Sequence, residues 1–596
     1  MIRQARAILM SVLLATIGLA VVLPASAAAG PEVTPASVTA VGTGTLSNGV
    51  DGAEVPEGSS SELRVGPAVD QQLPHSATIH HVDASGTPRP QGLPVTVDTL
   101  PSGFNGISHR DQRLAGGANT QFSLEPPDQG LCVGNGSVLE TVNDAVRVFT
   151  TAGTPVAATK PMNAFLGLAP EVIRSSPPVF GPFVSDPKCY FDPDTNRWFL
   201  TVTELDENPS SGAFTGGSHV FIAVSKTGNP AGSWTILSLD VADLGHANCP
   251  CLGDQPLIGA DRNGFYVSTN EFGPIPSFSH FNGAQVYAFS KTKLETASSG
   301  SVTGVQINVG ALATPDPGGI WFTLQPATSP NGVYAVDTEY FLSSLDFSSD
   351  LDNRIAVWQL TNTQSLNSAA PAPSLTHAVI GSEVYGQPPA AYQRPGEIPL
   401  GELVHSPLGL LNSNDDRMNQ VVYAAGKLWS AVNTVVQTEN GPTRSGIAYF
   451  VVSPAIAAGA FSPKMAAQGY VAVNQENVLF PSIGVNGSGI AVMSLTVAGP
   501  DVFPSAAFSR ISLSGGAGTI HVSGAGQDPE DGFTAYRAFG GGGTARWGDY
   551  SAAVADLSGK VWLATEYIPK ACTSAPQAGC RTLFANWGTF VTHVSA

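Results

Sequence analysis

The residues of this chain that could do chemistry are acids, and they recur. Asp128, Asp186, Asp254 and Asp549 each open a short apolar run, and Gln325 and Asn419 stand at the same point of two further runs. Glu204, Glu271, Glu339 and Glu566 each close a second run downstream. Carboxylates brought together repel, so some are protonated while others stay ionised beside a cation or metal. A protonated carboxyl is a general acid and its ionised neighbour a base or nucleophile, the division of labour of glycoside hydrolysis. Two units end in Thr-Glu-Tyr, at Thr338-Glu339-Tyr340 and Thr565-Glu566-Tyr567. A tyrosine beside a glutamate can serve as an activated nucleophile, so Tyr340 and Tyr567 join the candidates. Arg417 and Arg546 precede the first run of their units and are the cations placed to hold an anionic ligand. Each of these residues also has a structural use. A polar side chain at a strand entrance can cap backbone N–H groups, and a tyrosine after a glutamate can pack between sheets.

The elements that must position these acids are strands. The acids open or close Val-, Tyr-, Phe- and Trp-rich runs bounded by Gly, Pro and Asn, and no long stretch keeps a helical period. The pairs of runs repeat at intervals of roughly 50 to 70 residues, the range of arrays and propellers. The openings are at Asp128, Asp186, Asp254, Gln325, Asn419, Pro481 and Asp549. The second runs are Val138 to Asn143, Trp198 to Glu204, Phe265 to Glu271, Val333 to Glu339, Leu428 to Asn433, Ile490 to Thr496 and Val561 to Glu566. Radial repetition of small antiparallel sheets is how a β-propeller disposes of exposed edges. The expectation is an all-β chain, a β-propeller of about seven blades with six as the fallback; a long β-sandwich or a two-domain all-β chain is the alternative these runs allow. In a propeller the start of the first strand and the end of the second meet on one face, which gathers the aspartates at the channel mouth and the glutamates around them.

Composition sets the compartment and excludes several classes. The 596 residues include 42% hydrophobic and 12% charged, with 46 Asp+Glu against 27 Lys+Arg and a formal net charge of −19. That is too apolar for disorder and too acidic to bind nucleic acid without a dense basic patch, which the sequence lacks. Arg3 and Arg6, the apolar stretch Ile8 to Leu23 and Ala25-Ser26-Ala27 read as a secretory signal over 1–28; the stretch is short for a membrane anchor. Residues 29–118 read as a loosely ordered Pro/Gly/Ser-rich arm and 119–596 as the propeller domain. No later segment is apolar enough to span a membrane.

An exported chain with six cysteines is expected to form disulfides. Cys572 and Cys580 bracket a short polar insertion, and Cys132 and Cys189 sit at equivalent places in neighbouring units. Cys249 and Cys251 follow His246 in a His-x-x-Cys-x-Cys group that could ligate a soft metal, with disulfide bonding elsewhere as the competing use. Asp192-Pro-Asp194-Thr-Asn196 has oxygen spacing like a calcium loop but reads better as an Asx turn. Gly540 to Gly543 could hinge a lid or serve as a linker. No G-x-S-x-G, H-E-x-x-H, phosphate loop or Rossmann fingerprint is present, which removes serine-esterase, zincin and nucleotide chemistry.

Three stretches, Ser185 to Trp198, Val224 to Trp234 and Trp547-Gly-Asp-Tyr-Ser551, resemble a group of secreted bacterial β-propeller proteins distantly similar to sialidases. The resemblance covers about 120 to 596. Asn229-Pro-Ala-Gly-Ser-Trp234 is a degenerate form of the sialidase Asp-box turn, and the Phe-Arg-Ile-Pro motif with its carboxylate-gripping arginine is absent. The resemblance therefore implies an architecture and a site location, with no catalytic residue carried over. The reading that results is a secreted, monomeric propeller that binds, and could hydrolyse, an extracellular glycan at a carboxylate-lined mouth. A non-catalytic recognition or adhesion propeller, binding a protein or carbohydrate partner, is the alternative. No cofactor is expected, with Ca²⁺ the ion the polar ring could hold.

Overall fold

The computed structural model describes residues 31–596 apart from 48, 50–51, 53–59, 65–85, 98–102, 118, 317, 346–350, 440, 458, 570–580 and 596. The expected signal over 1–28 and the Cys572 and Cys580 pair lie outside the described residues. Among those residues the chain forms four-stranded antiparallel meanders, seven in number. Meander 1 begins with the strand Gly130–Gly134, meander 2 with Phe183–Asp192, meander 3 with Leu252–Ala260 and meander 4 with Gln325–Thr328. Meanders 5, 6 and 7 begin with Val421–Ala424, Asn477–Val485 and Ala552–Ala555. Each first strand packs beside that of the next meander, and the last packs back against Gly130–Gly134, so the first strands close a ring. This is the arrangement of a β-propeller.

The expected strands fall on the first two strands of these meanders, with one displacement. In meander 4 the second strand is Thr338–Ser344, so Glu339 stands at its start and not at its end. The turn there runs on through Asn331 to Asp337, and the apolar residues Val333 and Val336 that suggested a strand are exposed.

Both faces of the first and second strands of the meanders are covered, which is why these strands read as near-continuous apolar runs. One hydrophobic cluster fills each junction between neighbours. Phe199 and Val220 of meander 2 pack with Ile258 and Val267 of meander 3, and Trp429 and Ile447 of meander 5 pack with Ile483 and Met493 of meander 6. Leu131 and Phe149 of meander 1 meet Trp562 and Val591 of meander 7, which seals the ring.

Three described stretches of the segment 29–118 pair with the meanders. Glu32–Thr45 is a 14-residue strand inserted between the outer strands of meanders 2 and 3, with Val38 opposite both Leu239 and Val302. Val95–Val97 adds to the outer edge of meander 6. Gly103–Ser108 supplies the outer strand of meander 7 by pairing with Gly588–Val594, so the two ends of the ring are joined by strand pairing. Among the described residues no helix is long and apolar enough to cross a membrane.

Candidate functional site at the channel mouth

The first strands open with a repeated irregularity. In meanders 2, 3 and 6 the register between first and second strand shifts at Ser185/Lys188, Asp254/Leu257 and Leu479/Ser482. Inside each bulge a non-glycine residue takes positive φ, Asp186 at 56°, Gln255 at 47° and Phe480 at 52°. A proline follows each one, and Asp128 adopts the same conformation at 44° before the first strand of meander 1. Bulges of this kind re-aim side chains, and aspartate tolerates the left-handed region. Aligned on the bulge, Gln255 is the counterpart of Asp186, and Asp254 that of Ser185.

The result is a convergence of acids. Oxygens of Asp128, Asp186 and Asp549 all lie within 4.8 Å of one another, and the three residues are buried. Asn143 bridges two of them: its Nδ2 donates to Asp128 Oδ2 at 2.7 Å while its Oδ1 accepts from the Asp186 backbone N–H at 2.9 Å. The Asp549 N–H donates to Asp128 Oδ1 at 2.7 Å, and Arg546 Nη2 donates to Asp549 Oδ2 at 3.1 Å. Asp254, Ser185, Thr203 and Glu125 complete the walls of a depression with a cavity volume of ≈ 40 Å³. Burial raises the Asp128 carboxyl above its ordinary range, against the pull of Arg546. Lys188 lies over the Tyr550 ring and lines the adjoining channel. Burial pushes its ammonium well down, and Asp128, Asp186 and Asp549 oppose that shift.

A second acid group backs the first. Glu566 accepts from the Gly548 N–H at 2.7 Å, and burial raises it well above the carboxylate range, with Asp128, Glu530 and Asp549 adding to the effect. Glu125 accepts from Thr534 N–H and Oγ1 at 3.0 and 2.8 Å and is pushed up to about 8, chiefly by burial. Glu530 rises for the same reason, with Glu125 and Asp531 next. Farther out on this face, Glu204 is pushed up to about 7 by burial while pairing with His219 Nδ1 at 2.7 Å. Glu271 pairs with His246 Nδ1 at 3.0 Å and is likewise raised by burial.

Not every expected residue joins this face. Glu339 lies at the opposite end of the ring, accepting from the Ala327 N–H at 2.9 Å, raised first by burial and then by Asp261. Tyr340 goes with it and packs on Tyr423 and Phe461. Tyr567 donates to Asn105 Oδ1 at 2.6 Å and packs edge-on against Phe590, so it joins meander 7 to its closing strand and takes no place at the mouth. Gln325 lies within the channel, with Lys188 and Gln420 among its neighbours. Arg417 is held by Asp415 through bonds of 2.7 and 2.6 Å and donates to Gln255 Oε1 at 2.5 Å, while Asn419 contacts the Arg417 carbonyl. Both arginines are thus on this face and paired to neighbouring aspartates.

Glu125, Glu530, Asn143 and Lys188 are the members that sequence reasoning missed. Asn143 and Lys188 carried a signal, since Asn143 closes a second run and Lys188 follows Asp186 in the same strand. Glu125 and Glu530 sit in loops outside the repeat.

The remaining motifs resolve. Cys132 and Cys189 form a disulfide between the first strands of meanders 1 and 2, and Cys249 bonds Cys251 and no distant partner. Asp192 accepts from the Thr195 N–H at 3.1 Å, an Asx turn, and its other oxygen takes Lys291 Nζ at 3.0 Å, so it forms no calcium loop. Gly541 packs so closely on the backbone of Thr534 to Tyr536 that a Cβ would not fit.

No family model matches the chain, and no curated protein matches it. Among solved structures it is similar to an exo-β-1,3-galactanase from Clostridium thermocellum at 8% identity, covering 70% of this chain and 82% of that one, with a TM-score of 0.27. It is similar to Trypanosoma rangeli sialidase at 9% identity, 69% and 54% coverage and a TM-score of 0.30. It is also similar to a Bacillus subtilis arabinanase at 13% identity, 54% and 94% coverage and a TM-score of 0.25. At these scores the likeness adds nothing to the strand pairing, on which the architecture rests.

Proposed function

We propose that this chain is an exported seven-bladed propeller whose carboxylate-floored mouth binds and hydrolyses an extracellular glycan. The observation that carries the reading is the convergence of Asp128, Asp186 and Asp549 within 4.8 Å. Two carboxyls about 5 to 5.5 Å apart, one protonated and one ionised, are what retaining hydrolysis uses. Asp128, raised by burial, is the general acid, and Asp549, ion-paired with Arg546, is the nucleophile. The enclosed volume of ≈ 40 Å³ is too small for a sugar ring, so the ring would occupy the open mouth and present only its scissile end to the aspartates.

The test is a glycan panel with detection of released sugar and of its anomeric configuration. Product with retained configuration is expected, and Asp128→Asn should lower kcat/KM by on the order of 10²- to 10⁴-fold. No product from any glycan, with binding kept by Asp128→Asn and Asp549→Asn alike, would leave a non-catalytic recognition propeller.

The small cavity also favours a second reading, a hard cation such as Ca²⁺ on the three aspartates, which would take oxygen ligands at about 2.3 to 2.6 Å. Arg546 weighs against it by placing a positive charge beside the acids. A melting temperature raised by calcium and lowered by a chelator would establish it.

A further inference from the structure

We propose that the Cys249–Cys251 disulfide is a thiol–disulfide exchange site whose substrates are dithiols. A bridge stabilises a fold by closing a loop in the unfolded chain, and the gain grows with the loop enclosed. Cys132–Cys189 spans 57 residues and links two meanders, whereas Cys249–Cys251 spans 2 and links one loop to itself. The second bridge therefore contributes little as a staple, yet it is elaborately housed. Gly273 leaves room where a Cβ would strike Cys251 Sγ. Asn282 Nδ2 stands 3.7 and 3.6 Å from the two sulfurs and donates to Glu271 Oε1 at 2.7 Å.

The two sulfurs differ in a way that exchange requires. Cys251 is fully buried while Cys249 is partly open to solvent, so an incoming thiolate reaches Cys249. Attack there expels Cys251 as a buried thiolate, which needs a proton at once. Glu271 stands ready: its Oε1 is 3.5 Å from Cys249 Sγ, and its carboxyl lies within 4.8 Å of both sulfurs. It is buried, and His246 Nδ1 lies 3.0 Å from both Glu271 Oε1 and Asp243 Oδ2, so a proton can be exchanged with the loop surface. Burial raises the carboxyl and His246 stands against it, so the Glu271–His246 pair holds a proton beside the two sulfurs.

The steps balance. A substrate thiol loses its proton to solvent, and the thiolate attacks Cys249 Sγ. The Cys249–Cys251 bond breaks, its electron pair leaves on Cys251, and Cys251 takes the Glu271 proton. The second substrate thiol gives its proton to Glu271 and attacks the substrate sulfur of the mixed disulfide, and Cys249 leaves as a thiolate that is protonated by solvent. One dithiol is oxidised by two electrons and the Cys249–Cys251 bridge is reduced to two thiols.

Two measurements on the full chain decide the matter. Cys251→Ser incubated with oxidised glutathione should carry the glutathione adduct on Cys249, located by peptide mass; no adduct there overturns the proposal. The rate at which dithiothreitol opens the bridge, followed by alkylation and mass, should fall on the order of 10²-fold in Glu271→Gln and lose its pH dependence in the carboxyl range. An unchanged rate and profile would also overturn it. If Glu271→Gln does not fold, the adduct decides alone.

Discussion

Glu140 shows what burial does to a single acid in this molecule. It ends no recognisable motif, yet its Oε2 accepts from the Ile107 N–H at 2.8 Å and its Oε1 from Thr589 Oγ1 at 2.5 Å. Meander 1 is thereby tied to both strands at the closing edge of meander 7. Burial pushes the carboxyl from 4.5 up to about 7. A raised carboxyl means that the folded chain holds a proton the unfolded chain gives up. Its contribution is complete below the unfolded value of 4.5 and is lost as pH rises through about 7. The swing is roughly 3 kcal/mol for this one group. Glu140→Gln keeps an acceptor for Ile107 and offers Thr589 a donor without titrating. Its stability should fall less than the parent's between pH 5 and pH 8, as read from denaturant midpoints at the two pH values. Parallel curves for parent and variant would refute the assignment. Glu125, Glu530 and Glu566 shift in the same direction, so the parent itself should be more stable in mild acid than above neutrality.

The strands carry the next lesson. A propeller's outer strands are edges, and an unpaired edge is an invitation to pair with another chain. Glu32–Thr45 covers two such edges at once, Ser233–Asp240 and Ser301–Asn308. Deleting residues 31–46 should leave the ring of first strands intact but lower soluble yield and speed proteolysis of those two outer strands, as mapped by limited digestion and mass. Digestion indistinguishable from the parent would show that the strand is dispensable. This strand was not legible in the sequence because its partners lie about 200 residues or more downstream and its own burial alternates weakly, with Val38 its only buried residue. The first and second strands of the meanders were legible because both their faces are buried and each closes on a neighbour in sequence. Glu339 was misplaced for the converse reason: a long turn with apolar residues mimicked the start of a strand, and a strand shifted by half its length exchanges one face of the ring for the other. The mouth acids were legible as a set, since Asp128, Asp186 and Asp549 share the strand-entry position. Glu125 and Glu530 were not, because loops from distant parts of the chain deliver them and no period marks them.

At the scale of the molecule, the ring must be held shut, and two devices do so on either side of meander 1. Toward meander 7 the closure is non-covalent, through Gly103–Ser108 on Gly588–Val594 and the Glu140 contacts. Toward meander 2 it is covalent, through Cys132–Cys189 between adjacent first strands. The same two junctions bound the acid mouth, because Asp128 belongs to meander 1, Asp186 to meander 2 and Asp549 to meander 7. Holding three buried carboxyls within hydrogen-bonding distance of shared partners costs repulsion and desolvation, and a ring free to open at this point would relieve both. The disulfide should therefore matter twice. By loop closure over its 57-residue span, Cys132→Ala with Cys189→Ala should cost about 4 kcal/mol of stability. It should also let the mouth relax, so that Lys188, now half-buried over the Tyr550 ring, becomes more reactive toward an amine-directed acetylating reagent under native conditions. Cys249→Ala with Cys251→Ala, which frees no junction, should leave both the denaturant midpoint and Lys188 labelling close to the parent. If both pairs of substitutions cost the same, or if Lys188 labelling stays at the parent's level when the first bridge is gone, then the sheet contacts alone hold this side of the ring and the covalent link is not what keeps the aspartates together.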